Sequence, residues 1–127
     1  MSDNEKIERL KDIKVENIVW FIYIGIIFLS FYANSKEKKY ILYNDNIAKK
    51  EYQNIMILIF TILVIIYYHF SKDSYEDLEN LNEKDSEKKK NLTFMSFIGS
   101  VLVLLSGLIF LTIVIIDDNI DTEIAFN

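Results

Sequence analysis

Three stretches of this chain, residues 18–33, 55–70 and 92–116, contain no Asp, Glu, Lys or Arg. Nothing else in the sequence restricts the fold so strongly. A bilayer core about 30 Å thick takes about 20 helical residues to cross. At 1.5 Å per residue the third stretch reaches ~37 Å, so it must tilt or protrude. The first reaches only ~24 Å, and residues 15–17 with Asn34 are expected to complete it at the interfaces. The second extends back to Tyr52. A chain of 127 residues has too little polar structure to wrap three helices that are apolar on every side. Three strands cannot close a barrel, and the stretches show no two-residue alternation.

The expected fold is therefore an all-α integral membrane protein with three transmembrane helices in a single membrane domain, residues 1–127. The expected spans are about residues 17–34, 52–70 and 92–116. Between them lie a polar tail (1–16), loops at 35–51 and 71–91, and an acidic tail (117–127). Aromatic side chains mark the span ends: Trp20, Phe21 and Tyr23, then Phe31 and Tyr32, then Tyr67, Tyr68, His69 and Phe70. Such rings favour the headgroup level, where an apolar body and a polar tip are both satisfied.

The first span is not expected to be a cleaved signal peptide. The seventeen residues before it carry five acids against four bases, and a signal requires a basic start. Lys and Arg then set the expected orientation. The N-terminal tail and second loop share one side with nine, and the first loop and C-terminal tail share the other with five. The positive-inside rule favours a cytoplasmic N-terminus and an outside C-terminus. Lys88, Lys89 and Lys90 before the third span, and a final tail carrying only acids, weigh most in this reading.

Both polar segments on the N-terminal side carry helical patterns. Ser2 and Glu5 have capping-box spacing, and Ile7, Leu10 and Ile13 form a stripe. In the second loop Ser74 and Asp77 are candidate caps, and Tyr75, Leu78 and Leu81 form a second stripe. Short amphipathic helices are expected in both places, separate from the spans. In the first loop, Tyr40 to Tyr43 is an apolar island expected to rest at the interface.

Little points to chemistry. The chain has no Cys, which removes disulfides, thiolate nucleophiles and Cys-ligated metals. A net charge of -5 without a basic patch argues against nucleic acid as a partner. Asp117, Asn119, Asp121 and Glu123 alternate like the start of a calcium loop. Thr122 stands where such a loop needs Gly, and the chain ends before its bidentate Glu. His69 is the lone His and reads as a polar ring at headgroup depth. Charged residues inside spans are the usual mark of ion paths, proton relays and intramembrane catalysis, and no Asp, Glu, Lys or Arg lies within any of these spans. No catalytic residue, metal or cofactor is expected.

The third span holds the one positive signal. Ser96, Gly99, Ser100, Ser106 and Gly107 fall within an arc of about 120°, shared by Val103 and Phe110. Small residues let helix backbones approach closely in lipid. This face is expected either to pack on the other spans or to receive a membrane-protein partner or another copy of the chain.

Residues 106–110, the Asp117-Asp118 pair and the ending Glu123-Ile124-Ala125-Phe126-Asn127 resemble small, uncharacterised three-span membrane proteins of AT-rich Gram-positive bacteria. The many Ile, Lys and Asn residues suit such a genome. The resemblance implies a bacterial plasma membrane and brings no activity with it. The leading functional expectation is a non-catalytic accessory subunit, regulator or scaffold. A holin-like self-associating pore former is the alternative, and a transporter or enzyme stands third.

Overall fold

The computed structural model describes residues 1–121, so Glu123 and the ending that follows it lie outside the described residues. The described residues form three helices, α1 (Asp3–Tyr43), α2 (Asn46–Glu79) and α3 (Glu87–Ile116). Each contains a segment long and apolar enough to cross a membrane. At 41, 34 and 30 residues they reach ~62, ~51 and ~45 Å, all beyond the ~30 Å hydrocarbon core. Each helix therefore projects past its apolar segment.

The short amphipathic helices expected beside the spans are not separate elements. The N-terminal tail is not a helix of its own: it is the first part of α1. Ser2 and Glu5 do cap it, with the Glu5 N–H donating to Ser2 Oγ at 3.2 Å and the Ser2 N–H to Glu5 Oε2 at 3.3 Å. Ser74 and Asp77 cap nothing, because α2 runs through them to Glu79. Most of the expected first loop is also helical, and the Tyr40–Tyr43 island is the last turn of α1. The physical reason is continuity. No Gly or Pro interrupts these segments, and one continuous helix leaves fewer open backbone ends than two helices with a break between them.

Reversal between α1 and α2 takes only two residues. Asn44 adopts the left-handed conformation at φ 50°, a role Asn fills without glycine. Asp45 then caps α2, its Oδ1 accepting from the N–H groups of Ile47 and Ala48 at 3.0 and 3.1 Å. The α2–α3 turn is longer. Asp85 Oδ2 accepts from the Asn82 N–H at 2.8 Å, and Ser86 caps α3 through the Lys89 N–H at 3.1 Å.

α2 is the central helix. Tyr52, Met56, Ile59, Phe60 and Ile66 are buried along it, and Ala33 of α1 and Val114 of α3 close the core from either side. On α1 the inward residues Val19, Ile26 and Ala33 recur every seven positions, the spacing of a left-handed helix pair. Among the described residues α1 and α3 each pack on α2, and their backbones make no close approach to one another.

The outward faces are apolar. Phe21, Phe28 and Phe31 are 74%, 69% and 70% exposed on α1, a surface suited to lipid rather than water. Hydroxyls in the spans are satisfied locally: Ser30, Thr61 and Thr112 donate to the carbonyls of Ile26, Ile57 and Leu108 at 2.6–2.8 Å.

Candidate functional site

The small face of α3 divides in two. Gly107 is buried against α2, where a Cβ would lie 3.0 Å from Tyr67 Cδ2 and 3.4 Å from Val64 Cγ2. Phe110 meets Phe60 with ring centroids 5.7 Å apart. The Ser100 carbonyl accepts from the buried Ser71 hydroxyl at 3.0 Å, and Ser100 Oγ donates to the Phe97 carbonyl at 2.8 Å. Gly99 behaves differently: a Cβ there would meet open space. Ser96, Val103 and Ser106 are likewise exposed.

Val103 and Ser106 open onto a cleft of about 450 Å³ between α1 and α3. Ile26 and Ser30 of α1 form one wall, and Leu102, Val103, Ser106, Gly107 and Phe110 form the other. Met56, Ile59, Phe60, Leu63 and Tyr67 of α2 make its floor. The cleft exists because α1 and α3 both pack on α2 and not on each other. No Asp, Glu, Lys, Arg or His lines it. Ser96 instead borders a smaller polar groove with Ser74, Asp77, Leu92 and Thr93.

Both ends of the bundle carry polar ties that sequence patterning did not single out. Gln53 Nε2 donates to the carbonyls of Val114 and Ile115, each at 3.3 Å, satisfying the end of α3 from α2. Lys36 and Glu51 join α1 to α2 at 2.8 Å, with the Lys36 ammonium 5.2 Å from the Tyr32 ring. The hydrogen bond that Lys36 donates to Glu51 holds the Lys36 pKa above its ordinary value. A Gln among apolar residues at a span entrance was the available signal. Its partner carbonyls are backbone, and patterning does not reveal those.

At the opposite end, Asp77 of α2 sits close enough to feel Asp12 and Arg9 of α1 and Asp73 and Glu76 of its own helix. Burial pushes its carboxyl pKa up, the neighbouring acids add to this, and Arg9 opposes it. His69 pairs with Asp73 at 3.3 Å, one helical turn away, and both are about half exposed. Asp117 Oδ1 accepts from the Asp121 N–H at 2.9 Å, so that carboxylate closes a local turn. Among the described residues no three His, Asp or Glu side chains are grouped to hold a metal ion.

No protein family, no curated protein and no solved structure matches this chain.

Proposed function

We propose that the chain is a non-catalytic accessory subunit, regulator or scaffold that receives a transmembrane helix of a partner in the α1–α3 cleft. The cleft carries this reading. It is open to the side, apolar, and walled in part by the exposed Ser106, whose small side chain permits close backbone approach. Its lining offers no charged group to conduct an ion or relay a proton. The sequence resemblance supports a bacterial plasma membrane, and the lysine distribution supports a cytoplasmic N-terminus.

The test is crosslinking in native membranes from a photoreactive residue at Val103 or Ser106. One stoichiometric adduct from those positions, and none from Leu105 on another face, is the expected result. Adducts distributed over many proteins would remove the reading. A holin-like pore is the second reading, favoured by the apolar outer surface of α1. It requires self-adducts together with permeabilisation of the membrane on expression.

A further inference from the structure

The part of α1 before the apolar span has two chemically opposite faces. At 100° per residue Glu5, Glu8, Asp12 and Glu16 fall within an arc of about 80°. That arc includes the direction of Val19, which is buried where α1 packs on α2, and the charge of Asp12 on it reaches Asp77 of α2. Lys6, Ile7, Leu10, Ile13 and Lys14 occupy about 120° on the other side, with Lys11 beside them. Ile7, Leu10 and Ile13 are 53%, 62% and 39% exposed there, and the three lysines are exposed as well. Arg9 is engaged by Glu16 at 3.6 Å. Asp3, in the first turn, is the one acid on the outward side.

We propose that this outward face docks an acidic amphipathic helix of a partner protein on the N-terminal side of the membrane. A membrane surface is a poor occupant for geometric reasons. α1 is one uninterrupted helix, so its tail cannot fold down onto the bilayer. Leu10 lies ~12 Å and Ile7 ~16 Å beyond Ile18 along the axis. The headgroup layer is only about 5–8 Å thick on each side, and a typical tilt of about 20° changes these depths little. A second copy presenting the same face is also a poor occupant, because lysines would oppose lysines. A helix with carboxylates flanking an apolar stripe matches both the charge and the apolar centre. This surface lies apart from the cleft, so failure here leaves the cleft crosslinks untouched, and the reverse also holds.

The test uses the full chain in nanodiscs of phosphatidylcholine. The probes are two fluorescent synthetic helices with the same leucine stripe, one flanked by glutamates and one by lysines. The glutamate helix is expected to bind at least about tenfold more tightly than the lysine helix and to weaken as salt is raised. Leu10→Asp should abolish that binding, and because Leu10 is exposed the helix content should not change. Equal binding of the two probes, or binding indifferent to Leu10→Asp, would overturn the proposal. It would also be overturned if a dye on Leu10→Cys became immersed in phosphatidylserine-rich discs, which would assign the face to lipid. Efficient crosslinking of two copies through Leu10→Cys would overturn it in favour of self-association.

Discussion

The Tyr67 ring lies directly over the backbone of Gly107, so closely that a Cβ on the glycine would stand 3.0 Å from Cδ2 and 3.3 Å from Cε2. This contact sets the separation of α2 and α3 midway along the pair. In lipid little hydrophobic drive holds helices together, so such close approach carries much of the association.

Enlarging Gly107 should therefore separate the two helices. Gly107→Leu is expected to lose about 1–3 kcal/mol through overpacking, and Gly107→Ala less, because only a ring must give. Gly99→Leu should leave the monomer as stable as before, since that position faces open space. Denaturant titration in lipid or mild detergent measures all three. Equal effects at the two glycines would show that Tyr67 does not set the helix separation.

Gln53→Leu should fray the end of α3. The side chain donates to two carbonyls there, and interhelical hydrogen bonds in membranes average about 0.6 kcal/mol each. Faster amide exchange confined to residues 113–117 is the expected signature. Ser71→Ala should weaken the other end of the same interface by a similar single bond, at Ser100.

Asp77 gives a pH dependence of definite sign. Its carboxyl pKa is raised above the ordinary 3.8, first by burial and then by Asp12, Asp73 and Glu76. A carboxyl raised in the folded state opposes the fold when ionised, at pH above its folded pKa. The penalty is relieved as pH falls through that value. Protection factors across residues 73–79 should rise as the solution is acidified from neutral. Asp77→Asn should raise them at neutral pH and flatten the response. A response unchanged in Asp77→Asn would place the titrating group elsewhere.

The absence of native Cys makes orientation testable with single introduced thiols. Three crossings would put Ser2 and Asp118 on opposite sides of the membrane. Asp118→Cys should react with an impermeant maleimide in intact cells, and Ser2→Cys only after permeabilisation. The reverse pattern would mean that the lysines of residues 36–50 dominate insertion.

The sequence alone determined that three segments are long and apolar enough to cross a membrane, and roughly where they lie. Excluding Asp, Glu, Lys and Arg from hydrocarbon is a position-by-position constraint that needs no knowledge of neighbours. It also marked Ser2 and Glu5 as a cap, because that motif is closed within four residues. Only the tertiary structure decided where the helices stop, since charged residues without Gly or Pro suit a helix as well as a loop. That is why residues 35–43 read equally as a loop, and residues 71–79 as a separate short helix, although they continue α1 and α2. Tertiary structure also made α2 the central helix and divided the small face of α3, burying Gly107 on Tyr67 and leaving Gly99 and Ser106 open. A face rich in Ile and Leu is equally satisfied by lipid or by another helix, so apolarity alone does not choose between them. That choice rests on shape matching between residues forty positions apart, such as Tyr67 and Gly107.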